Sequence, residues 1–106
     1  MNIETLREYV LQKPFVEEGF PFGETTLVFK VKGKIFLLVP LDEGQLQFNV
    51  KCDPAKAIEL REEYPEAVLP GYHMNKKHWN TIIADGTLSN KQLLVMVDES
   101  YDLVKK

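Results

Sequence analysis

Most side chains that could do chemistry in this sequence lie in one short segment, residues 70–82, which reads PGYHMNKKHWNTI. It contains two histidines, two lysines, two asparagines and the only tryptophan of the chain. Such side chains could act in catalysis, bind a metal ion, contact a nucleic acid, or only tie a loop to the protein. We call His73, Asn75, Lys76, Lys77, His78 and Asn80 the loop cluster. A second basic group, Lys30, Lys32 and Lys34, forms the hairpin lysines.

Catalysis would use His73 or His78 as a general base, because imidazole titrates near neutral pH. The sequence lacks a Gly-x-Ser-x-Gly elbow and a glycine-rich phosphate loop, so no activated nucleophile accompanies the histidines. Cys52 lies in a distant segment, where a small half-buried residue is the simpler interpretation. The sequence therefore predicts a protein that is not an enzyme and has no catalytic residues.

A metal site would pair His73 with His78, but five positions separate them. That spacing puts the two rings on different faces of a helix and on opposite faces of a strand. No carboxylate lies between them. We expect neither a metal nor another cofactor.

Structural roles compete with binding roles throughout the loop cluster. Asn75 and Asn80 could satisfy amides of a turn. Trp79 is expected to be a core residue, because it buries a large area and alternates with Thr81 and Ile83. Lys76 and Lys77 could simply be solvated.

Composition limits the class of partner. The 106 residues carry a net charge of −3, unlike most nonspecific polyanion binders, which are basic overall. The single cysteine indicates a reducing compartment. The sequence shows neither a signal peptide nor a transmembrane run. We expect a cytoplasmic protein that does not bind membranes and is a monomer.

Three helices are predicted, at residues 3–13, 54–64 and 89–105. Pro14 ends the first helix. Asp53 and Pro54 are a typical N-cap and first helical residue, and Ser89 with Gln92 forms a capping box for the last helix.

The strand pattern predicts an antiparallel sheet. Residues 25–40 form two β-branched and aromatic runs around Gly33, which indicates a hairpin. Residues 45–52 alternate as a half-buried strand, residues 78–85 resemble another, and residues 15–23 are either a short edge strand or an irregular connection. The prediction is one α+β domain over residues 1–106, with helices packed on one face of the sheet.

The sequence also resembles the MmcQ/YjbR family of small bacterial proteins over nearly the whole chain. The resemblance lies in VFKVKGKIFLL, in NVKCDPAKAIELREEYPEAVLPGYHMNKKHWNTI and in SYDLVKK. It implies a CyaY/frataxin-like fold and a proposed double-wing mode of DNA binding, in which two β elements embrace the duplex. In this sequence the wings would be the hairpin lysines and the segment from His73 to Asn80.

Two alternatives remain beside weak binding of duplex DNA. The frataxin likeness suggests iron binding, but frataxins have a dense acidic ridge, whereas the first helix here has Glu4 and Glu8 with Arg7 between them. The other alternative is a protein–protein adaptor that uses Tyr72, His73 and Trp79, because aromatic residues and histidine are common at interfaces.

Overall fold

A computed structural model describes residues 1–71 and 74–106 of the chain. The elements, in chain order, are α1 (Ile3–Leu11), β1 (Val16–Gly19), β2 (Thr26–Val31), β3 (Lys34–Pro40), β4 (Gln47–Lys51), α2 (Pro54–Glu63), β5 (Val68–Pro70), β6 (Trp79–Ile83) and α3 (Asn90–Val104). The strands form a six-stranded sheet with the order β1-β2-β3-β4-β6-β5, and every neighbouring pair is antiparallel. The α+β class predicted from the sequence is confirmed.

Local signals explain where the helices begin. The Asp53 carboxylate accepts a hydrogen bond from the Lys56 amide at 3.3 Å. At α3 the Ser89 hydroxyl accepts from the Gln92 amide, and the Gln92 side chain accepts from the Ser89 amide, at 3.1 and 2.8 Å. These contacts satisfy amides that the first helical turn leaves unpaired. None of the described helices is long and apolar enough to cross a membrane.

The hydrophobic core lies between the helices and one face of the sheet. Its buried residues from the helices are Leu6, Val10, Leu93, Val97, Tyr101 and Val104. Those from the strands are Leu27, Phe29, Val31, Phe36, Leu37, Val39, Phe48, Val50, Val68 and Ile82. The opposite face of the sheet, which we call the open face, carries the buried residues that alternate with these along the strands, namely Val28, Leu38, Asn49 and Thr81.

A bulge in β3 makes two consecutive residues, Phe36 and Leu37, part of the core. The register of β2 and β3 shifts between Phe29 and Lys30, where Lys30 pairs with Ile35. Ser100 of α3 forms hydrogen bonds with the backbone of both strands beside this bulge. Its hydroxyl donates to the Phe36 carbonyl at 2.6 Å and accepts from the Lys51 amide at 2.8 Å. The buried serine thus joins β3 to β4 and fixes how far both strands extend.

Candidate nucleic-acid interface

The hairpin lysines lie around a tight turn between β2 and β3. Lys32 and Gly33 have φ angles of +52° and +82°, and Val31 pairs with Lys34. Two consecutive positive φ angles match a type I′ turn, which suits the twist of a hairpin and favours glycine. Lys32 and Lys34 are exposed, so the turn presents both ammonium groups to solvent.

Lys30 differs from the other two hairpin lysines. It is half-buried and pairs across the sheet with Glu17 of the edge strand β1. A cross-strand carboxylate lowers the local positive potential. Lys32 also has a second contact, since its ammonium lies 5.7 Å from the centre of the exposed Phe15 ring.

The described part of the loop cluster is a hydrogen-bonded turn that leads into β6. The Asn75 side chain accepts from the Lys77 amide at 2.9 Å. The Asn75 carbonyl accepts from the amides of His78 and Trp79 at 3.1 and 3.0 Å. The expected turn role of Asn75 is confirmed, and its side-chain oxygen is occupied by this bond.

Arg61 of α2 links this turn to the helix by hydrogen bonds. Its guanidinium donates to the Lys76 carbonyl, to the Trp79 carbonyl at 3.2 Å and to the Asn80 side-chain oxygen at 2.7 Å. A guanidinium can make several such bonds because its donors are fixed in one plane. Arg61 was missed by sequence reasoning, since nothing in a solvated helix face indicates which distant carbonyls an arginine reaches.

Gly71 allows β6 to approach the chain that leaves β5. Its amide donates to the Trp79 carbonyl at 2.9 Å. A Cβ atom at this position would lie 2.8 Å from the Trp79 Cβ and 2.9 Å from the Trp79 carbonyl oxygen. Only glycine fits without a shift of the backbone.

Trp79 and Asn80 are placed on opposite faces of the sheet, as the pleat requires. Asn80 faces the helices, is 1% exposed and bonds Arg61, so it is not available to a ligand at the surface. Its side-chain nitrogen has no hydrogen-bond partner among the described residues. The expectation of a core tryptophan is wrong, because Trp79 is only half-buried and lines a groove on the face opposite the helices.

The other four members of the loop cluster are the two histidines and the two lysines. His78 is half-buried, and its carbonyl accepts from the Cys52 amide at 2.7 Å, which continues the β4–β6 pairing beyond Lys51. His73, with its neighbour Tyr72, lies outside the described residues. Lys76 and Lys77 are both exposed.

The strand register brings the two lysine-bearing turns to the same end of the sheet. Lys34 begins β3, whose Leu37 pairs with Val50, and the next residue of β4, Lys51, pairs with Trp79 at the start of β6. Since only β4 separates β3 from β6, the two turns are roughly 10 Å apart across the strands. Lys51, which sequence reasoning did not select, lies between them. None of these lysines forms an ion pair within the described part of the chain.

Cys52 and the acidic side chains are the other groups that could act in catalysis or bind a metal. Burial raises the pKa of the Cys52 thiol above its ordinary value, and Glu99 adds to the effect, so the thiol stays protonated. Among residues 1–71 and 74–106, no group of three or more His, Cys, Asp or Glu side chains could hold a metal ion. The Glu18 carboxylate accepts hydrogen bonds from the Arg7 guanidinium at 2.7 and 2.5 Å.

The family assignment comes from sequence comparison. A model of the YjbR family matches residues 11–103. The chain belongs to the YjbR family. It is 41% identical over 101 residues to protein YbdF of Escherichia coli O157:H7, covering 95% of this chain and 82% of that protein. It is 33% identical over 101 residues to protein YjbR of Escherichia coli K12, covering 95% of this chain and 85% of that protein.

Solved structures match this YjbR-family chain over almost its whole length. A Deinococcus radiodurans protein with a DUF419 domain is 38% identical, with a TM-score of 0.95, covering 99% of this chain and 79% of that one. A Pseudomonas syringae protein has a TM-score of 0.79 at 24% identity, covering 98% and 99%, and supports the fold alone. The family membership predicted from the sequence motifs is confirmed.

Proposed function

We propose that this YjbR-family chain is a non-catalytic, cytoplasmic protein that binds duplex DNA weakly. The binding surface is the end of the sheet that carries Lys32, Lys34, Lys76 and Lys77. The proposal rests on one observation, which is that turns distant in sequence bring four exposed lysines, none of them in an ion pair with a described residue, to one end of the sheet. Lys51 between the turns adds to the same positive surface.

Phosphate contacts explain why such a surface would bind DNA with modest strength. Two turns about 10 Å apart can each reach a phosphate, and no helix is needed in a groove. Each neutralised phosphate contributes roughly −0.9 to the slope of log K against log salt concentration on duplex DNA. Contacts by these four lysines and Lys51 therefore set an upper limit of about −4.5 on this slope, which means weak binding at physiological salt.

The direct test is a charge-matched pair of variants. The first replaces Lys32, Lys34, Lys76 and Lys77 by alanine, and the control replaces Lys56, Lys91, Lys105 and Lys106, which lie on or next to the helices. Both variants lose the same charge, so the difference reports on position. We expect fluorescence anisotropy with labelled duplex at ~50 mM salt to show binding by the control and none by the first variant.

Two outcomes would refute the proposal. One is the absence of binding by the unmodified protein at ~50 mM salt, where phosphate contacts are strongest. The other is an equal loss of affinity in both variants, which would mean that only net charge matters. Circular dichroism of each variant verifies that the fold is intact.

A protein–protein adaptor is the second candidate, and exposed aromatic residues favour it. Phe15, Phe20 and Phe22 are 73%, 50% and 65% exposed. Aromatic side chains are enriched at protein–protein interfaces. Under this alternative, replacing Phe15, Phe20 and Phe22 by serine abolishes capture of a protein partner, while the lysine variant above retains it.

A further inference from the structure

The face of the sheet opposite the helices contains a groove of about 500 Å³. It is lined by Phe22, Thr26, Ile35, Leu38, Pro40, Glu43, Gln47, Asn49, Met74 and Trp79. The volume falls in the range of small-ligand sites, which are mostly apolar with a few polar groups. The groove could therefore enclose one planar group.

The groove has a polar position at its base. Asn49 is 8% exposed and pairs across the strands with Thr81, whose hydroxyl donates to the Asn49 side-chain oxygen. This bond orients the Asn49 amide within a largely apolar site. A fixed amide among apolar side chains suits a flat ligand that carries hydrogen-bonding groups at its edge.

Charge differs between the two ends of the groove. Trp79 and Ile35 lie at the end that adjoins Lys76, Lys77 and Lys34, whereas Glu43 lies at the other end. An anionic part of the ligand is attracted to the tryptophan end and repelled by the glutamate end. The occupant favoured by these charges has an aromatic, hydrogen-bonding part and a phosphate part.

We propose that the groove takes one unpaired nucleobase of a DNA strand, which packs against Trp79 while the neighbouring phosphates contact Lys34, Lys76 and Lys77. This inference rests on the proposed function and adds a preference for DNA with an unpaired base. A strand reaches both lysine-bearing turns, whereas a free mononucleotide reaches one. Stacking of a base on an aromatic side chain contributes enough to change affinity on the order of tenfold.

Trp79 is the only tryptophan of the chain, so its fluorescence reports directly on the groove. The experiment titrates the full chain at ~50 mM salt with a perfect duplex, the same duplex with one unpaired thymidine, and thymidine monophosphate. We expect the duplex with the unpaired base to bind roughly tenfold more tightly than the perfect duplex and to quench the fluorescence. Trp79→Leu should remove this preference, and Trp79→Phe should retain part of it, as measured by anisotropy of labelled DNA.

The outcomes separate the two proposals. Equal affinity for the two duplexes without quenching overturns the nucleobase site and leaves DNA binding in place. No binding to either duplex refutes both proposals. Tighter binding of the monophosphate than of the duplex with the unpaired base overturns the assignment to a strand. The wild-type titration decides among these results even if Trp79→Leu fails to fold.

Discussion

The two faces of the sheet bury their side chains in different ways. On the helix side, Phe36 is completely buried and meets Tyr101 edge-on, with the ring centres 5.4 Å apart. On the open side, Trp79 lines a groove whose described residues all lie outside the helices, and its ring is only partly covered. The largest aromatic residue of this domain, Trp79, is therefore not part of its core. The largest fully buried side chains are Phe29, Phe36 and Phe48, whereas Trp79 lines the groove on the open face.

Replacing Phe36 by alanine should have the largest effect on stability. Removing a fully buried ring leaves a cavity and typically costs ~3–5 kcal/mol of unfolding free energy. Trp79→Ala should cost clearly less, because part of the indole already contacts solvent. Urea denaturation of the two variants measures this difference. Equal losses would show that the open face contributes to stability as much as the core.

Arg61→Met should have the second largest effect. It removes bonds to two carbonyls and to the Asn80 side chain, and buried groups deprived of a charged partner cost ~2–3 kcal/mol. Hydrogen exchange should also become faster at the His78 and Trp79 amides. Glu62→Gln, an exposed neighbour on α2, is the control and should change neither measurement. Unchanged exchange in Arg61→Met would mean that the turn is held by its own backbone bonds.

Gly71→Ala should lower the free energy of unfolding by about 1–3 kcal/mol, because the new methyl group would overlap Trp79. Gly44→Ala is the matched control, since a Cβ there has no described atom within 4 Å. Thermal melting measures both variants. An equal melting temperature for Gly71→Ala and the control would contradict this prediction. It would show that the chain at residue 71 can move away from Trp79 without a loss of stability.

The smallest effect is expected at the sheet edge, where Arg7 on α1 bonds Glu18 on β1. The bond to Arg7 lowers the pKa of Glu18. A carboxylate with a lowered folded-state pKa stabilises the protein above its ordinary pKa, near 4.3, and loses this contribution as pH falls through the lowered value. The stability of wild type and Glu18→Gln should therefore differ slightly at neutral pH and converge in acid, as followed by urea denaturation. A difference that persists in acid would contradict this explanation.

Signals close together in the chain were enough to predict much of the fold. Asp53 and Ser89 cap their helices as predicted, and Gly33 lies in the hairpin turn with a positive φ. These features depend on the conformations of a few consecutive residues, so the sequence contains the information. The stripe of α3 that includes Leu93 and Val97 is buried for the same reason, since helical periodicity defines which residues share a face.

Features that depend on pairing between distant segments were decided only by the tertiary structure. Alternation in β6 separates Trp79 from Asn80, but only packing of α2 and α3 decides which of the two faces the helices. Likewise, the lysine-bearing turns share one end of the sheet because β4 pairs with both β3 and β6. A shift of one residue in either register would turn each side chain to the other face. The sequence by itself determined where the helices begin, the hairpin and the two basic groups, although α1 ends at Leu11 and not at the predicted residue 13. Long-range strand register, which no local signal encodes, decided how these features come together.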